Sequence, residues 1–343
     1  MKINKNSTIP PKIIFLFPGY GEHYQGMANE LYKNVKIFRD HLNYCIETIE
    51  DITSINIFDI LYGSFDDHIV KAQFEKQLIS GISLFSVEYS LAQTYMNLGV
   101  HPSAMVGYSM GEYISSCIAG VMSLKDSLKF ILEQGKYIDT LPPGCMMAVP
   151  LPIHEIEKYL IKDQVNLAAI NGPKVCILSG NTEAIKKTKS LIRKEKRVES
   201  LILNSSQGFH SYLMEPIMDD IIRIGSKIQV NTPKIDYISS VSGDWISIND
   251  LKSSDYWARK LREPVNFEKG IQKVLDDPSK ILLEVGPRQS LFLLIKNHPN
   301  KHRNQLVLSS MPHLPNTESE LEYFFKSLEV LKERGINIDF QKL

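Results

Sequence analysis

Gly107-Tyr108-Ser109-Met110-Gly111 sets a serine between two glycines, with the apolar run Ala104-Met105-Val106 before it and Glu112-Tyr113 after it. A serine on a tight strand-to-helix turn is held in a strained conformation with its hydroxyl exposed, and glycines two residues to either side let the backbone cross without clashing. The helix expected from Met110 to about Ala119 points its free N–H groups and positive dipole end at that hydroxyl, so an oxyanion formed there is stabilised. The chemistry is nucleophilic catalysis, and a serine nucleophile needs a base. Of nine histidines, His210 is the best placed, in Gly208-Phe209-His210-Ser211.

These residues need elements to hold them. Lys12-Ile13-Ile14-Phe15-Leu16-Phe17 is a short apolar run ended by Pro18-Gly19-Tyr20-Gly21, which reads as a buried parallel strand delivering a Gly-rich loop to its carboxyl end. Residues 27–44 have helical spacing, and residues 77–97 form a second, largely apolar helix expected beside the serine strand. Ser123-Leu124-Lys125-Asp126 opens a helix running to about Ile138. Pro142-Pro143-Gly144 then breaks the chain, and short strands and helices alternate in the order β-α-β-β-α-β, a ferredoxin-like unit. The fold class expected is α/β: an α/β-hydrolase-like large domain, residues 1–142 and 205–343, with a parallel sheet core and an inserted ferredoxin-like small domain at 143–204. Later strands are expected at 234–240, 280–285 and 306–309, and a closing helix at 318–334.

Composition narrows the partners. With 43% apolar and 23% charged residues the chain can bury a sizeable core. Its 39 basic and 39 acidic residues give no electrostatic case for nucleic acid or an anionic membrane. Residues 1–11 are polar, without the apolar stretch of a signal peptide, and no later window approaches a membrane span; a soluble, cytoplasmic monomer is the expectation. Cys45, Cys117, Cys145 and Cys176 show no C-x-x-C spacing and read as reduced packing residues. Metal binding has little support in the sequence, so no metal is expected.

Phe17-Pro18-Gly19-Tyr20-Gly21, Gly107-Tyr108-Ser109-Met110-Gly111-Glu112, Gly144-Cys145-Met146-Met147-Ala148-Val149, Asn171-Gly172-Pro173 with Ser179-Gly180, Phe209-His210-Ser211, Tyr256-Trp257-Ala258-Arg259 with Arg262-Glu263-Pro264-Val265, and Glu284-Val285-Gly286-Pro287 cover nearly the whole chain in order. Together they resemble the malonyl-CoA:ACP transacylase-like acyltransferases of fatty-acid and polyketide synthesis. The resemblance implies that Ser109 takes an acyl group from a thioester, with His210 as base and then as acid to the leaving thiol. It implies an oxyanion hole from the N–H groups of Met110 and Tyr20, a cleft position for Asn171, and a histidine oriented by a backbone carbonyl instead of an acidic side chain. The partners implied are acyl carrier proteins, with acyl-CoA as a possible donor. No cofactor is needed, since the phosphopantetheine arrives with the partner.

Three pocket positions depart from the family. Malonyl-type members carry an arginine on the helix after the serine helix to pair with the extender carboxylate; the matching residue here is Gln134. Burying a malonyl carboxylate without a cation costs several kcal/mol in order of magnitude. Tyr20 stands where glutamine is usual, and Gly81 where a second pocket glutamine is usual. Phe209 before the histidine resembles the small-unit form of the specificity motif, although Gln207-Gly208 depart from it. A small uncharged acyl group fits best. Within the resemblance, a chain with no ketosynthase or carrier segment and glutamine at the arginine position looks like the trans-acting acyl hydrolases of polyketide assembly lines. The alternatives are a transferase loading acetyl or another starter from CoA onto a carrier, and a non-catalytic carrier-docking protein.

Overall fold

The computed structural model describes residues 10–63, 72–313 and 318–343. Residues 1–9, most of the polar leader considered above, lie outside them. Strand β1 (Ile13–Phe17) is buried along its whole length, as its unbroken apolar sequence requires. It pairs in parallel with β2 (Pro102–Gly107) on one side and β8 (Ile281–Glu284) on the other. Strands β7 (Asp236–Ile238) and β9 (Val307–Ser309) complete a five-stranded parallel sheet of order β7-β2-β1-β8-β9. From β1 the chain winds one way to β2 and β7 and the other way to β8 and β9, so the switch point lies between β1 and β8, and the loops leaving β1 and β2 reach the same carboxyl end of the sheet. The Gly-rich loop and Ser109 sit on those two loops.

The helix Gln77–Asn97 is buried on almost every face. Its polar residues are compatible with that because Ser86, Ser90 and Thr94 return their hydroxyls to carbonyls four residues back, at 2.7, 2.7 and 2.6 Å. Ser123 caps the helix Leu124–Ile138, accepting from the Asp126 N–H at 3.0 Å. The helical pattern at 27–44 is split: helices Asn29–Asn34 and Lys36–Ile52 flank an extended Val35.

Between residues 145 and 202 the chain forms a second sheet. Strands β3 (Cys145–Val149), β4 (Val165–Gly172), β5 (Val175–Gly180) and β6 (Leu201–Ile202) take the order β4-β5-β3-β6, antiparallel throughout. This is the ferredoxin-like arrangement, covered by the helix Thr182–Lys196. Its first helix is short, Ile153–Ile156, followed by one 3-10 turn, and β6 is shorter than the sequence pattern. The small sheet is tied to the larger body by main-chain bonds from Ile170 N–H to Val265 O and from Val265 N–H to Ala168 O, both 2.9 Å. Among the described residues, no helix is long and apolar enough to cross a membrane.

Candidate active site

Ser109 is one of the few non-glycine residues with positive φ, at 50°. That left-handed turn brings the chain from β2 straight into the helix Gly111–Ile118. Both flanking glycines are sterically required: a Cβ on Gly107 would strike the Glu112 backbone, and one on Gly111 would strike the Phe17 carbonyl. Glu112 locks the helix start from below. Its carboxylate is fully buried and accepts from the Ser240 N–H at 2.9 Å, the Ser240 hydroxyl and the Tyr256 hydroxyl.

The Ser109 hydroxyl meets His210 Nε2 at 2.8 Å. His210 also has positive φ, 57°, and its N–H donates to the Leu261 carbonyl. On the far side of the ring, Nδ1 lies 2.8 Å from the Glu263 carbonyl oxygen. A carbonyl can only accept, so Nδ1 carries the proton and Nε2 presents its lone pair to the serine. Pro264 explains why that carbonyl is free. A residue before proline is driven out of helical conformation, and Glu263, at ψ 155°, ends the helix Tyr256–Arg262 and turns its oxygen toward the ring. Burial pulls the His210 pKa down to about 4, against the bond to Glu263 and aided by the charges of Lys260 and Arg262. The imidazole is therefore neutral at pH 7, as a general base must be.

Two cavities meet here. One, of about 300 Å³, is lined by Ser109, His210, Phe209, Tyr20, Glu22 and His23 among others. The other, about 730 Å³, runs between the small sheet, through Asn171 and Ile177, and the helix Ser290–Lys296. Gly19, Tyr20, Glu22 and Tyr108 belong to its wall.

A sequence profile described as the acyl transferase domain matches residues 14–337. The chain belongs to that family. One component of the phenolphthiocerol/phthiocerol polyketide synthase of Mycobacterium tuberculosis is 29% identical over 330 residues, 96% of this chain and 22% of that protein. The spectinabilin polyketide synthase system protein NorC of Streptomyces orinoci is 28% identical, over 96% of this chain and 14% of that protein. This chain thus spans less than a quarter of the length of these relatives. Among solved structures, the acyl transferase domain of ZmaA is 30% identical with a TM-score of 0.89, covering 97% of this chain and 77% of that one. FabD from Acinetobacter baumannii, at 20% identity and TM-score 0.80 over 95% of this chain and 99% of that one, shares the fold.

The remaining expected residues divide into two groups. Phe209 and Tyr20 line the Ser109 cavity. Asn171 lines the larger one, buried, with its side-chain oxygen unpaired among the described residues. The N–H groups of Tyr20 and Met110 donate to no protein acceptor among the described residues, which leaves both available to an oxyanion. Gln134 and Gly81 are placed differently: among the described residues, neither lines either of these cavities. Gln134 is 1% exposed, and its amide donates to the Tyr113 hydroxyl at 2.8 Å.

Three features escaped the sequence reading. His23, two residues past Gly21, enters the Ser109 cavity, stacked on Phe74 and with Nδ1 buried and unpaired among the described residues. Burial and the Arg288 charge bring its pKa down to about 4. Lys260 is 3% exposed, its ammonium 3.4 Å over the Tyr113 ring, and burial lowers its pKa to about 7. Glu263 supplies the backbone carbonyl that the resemblance implied, although no side-chain motif marked which residue would provide it.

Proposed function

We propose that this protein is an acyl hydrolase acting in trans, which clears short, uncharged acyl groups from the phosphopantetheine thioesters of acyl carrier proteins in polyketide synthesis. The observation that carries the reading is the line Ser109 Oγ, His210 Nε2, His210 Nδ1, Glu263 O, with 2.8 Å at each hydrogen bond. The Ser109 oxygen attacks the thioester carbon while its proton passes to His210 Nε2. The tetrahedral oxyanion takes hydrogen bonds from the Met110 and Tyr20 N–H groups. Collapse breaks the carbon–sulfur bond, and the imidazolium protonates the departing thiolate. Water then attacks the Ser109 ester and gives a proton to Nε2, and the acyl group leaves as the free acid with Ser109 restored.

The larger cavity, between the unit at 143–204 and the rest of the chain, suits the approach of a pantetheine arm. Asn171 in its wall sets a polar side chain beside the path of such an arm. Hydrolysis is supported by the presence of Glu22 and His23 in the wall of the Ser109 cavity, polar residues beside a space large enough for water. Gln134 in place of an arginine supports an uncharged acyl group. The second reading, transfer of acetyl or another starter from CoA to a carrier, uses the same acyl-enzyme and is favoured by the likeness to synthase domains. A purely docking role leaves the aligned Ser109 and His210 without a purpose.

Partition of the product separates the two readings. With acetyl-loaded carrier and an excess of unloaded carrier, a hydrolase releases acetate faster than it loads the second carrier. Quantitative transfer without net acetate would make the protein a transferase.

A further inference from the structure

A glycine inside a buried helix needs a reason, since it costs ~1 kcal/mol relative to alanine. Gly81 lies in the helix Gln77–Asn97 and is not among the residues with positive φ, so no left-handed turn requires it. The reason is space. A Cβ at this position would lie 2.6 Å from the Tyr20 hydroxyl oxygen and 2.9 Å from Ile131 Cγ2. The Tyr20 hydroxyl, seated there, donates to the Gln77 carbonyl at 3.4 Å. Its ring lies nearly parallel to Phe209, with centroids 5.1 Å apart and planes 7° apart.

Tyr20 and Phe209 line the Ser109 cavity, whereas Gly81, Ile131 and Gln134 are not among its lining residues. The Tyr20 hydroxyl therefore reaches the helix Gln77–Asn97 at Gln77 and Gly81, its ring stacks on Phe209, and the residue shares the cavity wall with the reacting serine. We propose that Tyr20, housed by Gly81 and braced by Phe209, is the stop that limits acyl length on Ser109 and walls Gln134 off from the acyl group. This deepens the reading above and rests on it, since it takes Ser109 as the residue that bears the acyl group. Refusal of carboxylated acyl groups then has two parts: the cation is missing at position 134, and the ring blocks the way to that position. Restoring the charge alone does not restore malonyl acceptance.

The test uses the full chain and reads Ser109 acylation by intact mass with acetyl-, butanoyl-, hexanoyl- and malonyl-CoA. Substitutions at Tyr20 keep the backbone N–H. Tyr20→Ala is expected to raise hexanoyl relative to acetyl labelling by about tenfold or more, with Tyr20→Leu rising less and Tyr20→Phe staying within about twofold of wild type. Gln134→Arg alone should leave the malonyl-to-acetyl ratio within about twofold, whereas Tyr20→Ala with Gln134→Arg should raise it about tenfold or more. An unchanged length profile in both Tyr20→Ala and Tyr20→Leu would overturn the stop, and so would malonyl acceptance by Gln134→Arg alone. If Ser109 took no acyl group in any of these proteins, including wild type, the reading of the site itself would fall and the stop with it.

Discussion

Protonation of a single imidazole governs the proposed chemistry. Because His210 is held neutral by burial, with a pKa lowered to about 4, its lone pair is available across the whole neutral range. The acylation rate, followed as kcat/KM for an acetyl thioester, is expected to stay flat from pH 7 down to about 5 and to fall tenfold per unit below about 4. An inflection near the ordinary histidine value of 6.5 would mean that His210 is solvated during turnover. Ser109 and His210 could be singled out as a candidate nucleophile and base because their neighbours are unusual, two glycines around one and Phe-His-Ser around the other, and the structure brings the two side chains together. Glu263 was not legible as the orienting group, since any residue before Pro264 presents the same carbonyl. His23 was hidden for a different reason, because a histidine in a loop has no periodicity that marks it as pocket-facing.

Elements were read well where sequence alone determines them. The helix Gln77–Asn97 has the bounds its apolar run and polar ends imply, and the capped helix Leu124–Ile138 follows its Ser123 signal. The pattern at 27–44 misled because periodicity continues across Val35, while the chain turns there to lay two separate helices on the core. Gln134 is a related case. Its place on an inward-facing helix was correct, yet inward in this fold means against Tyr113, to which its amide is bonded. The helix Tyr256–Arg262 carries a consequence of its own, the burial of Lys260. Its pKa falls from the ordinary 10.5 to about 7. The folded protein therefore bears the full penalty below pH 7, and the penalty fades as pH rises toward 10.5. Lys260→Met is expected to melt higher than wild type at about pH 6, with the gap shrinking above pH 7 and closing only toward 10.5. A gap that stayed constant with pH would show that the cation–π contact with Tyr113 offsets the burial, or that the ammonium is solvated.

At the scale of the whole molecule, the parallel sheet supplies Ser109 and the Gly-rich loop at neighbouring strand ends, and the small sheet roofs the crevice. The strands of both sheets were legible from their sequence signals: apolar runs ending in loops for one, alternating short elements for the other. The cleft beside Asn171 was expected from the resemblance, but its full lining was not, because it joins residues far apart in sequence, such as Asn171 and the helix Ser290–Lys296. The central claim is an acyl group on Ser109 that water removes. Intact-mass measurement after mixing with an acetyl-loaded carrier protein tests it most directly. The account predicts a single acetyl adduct on Ser109 that decays to free enzyme and acetate, and no adduct in Ser109→Ala. An adduct of undiminished extent in Ser109→Ala, or a wild-type acyl-enzyme that persists in water and discharges only to a carrier thiol, would contradict it.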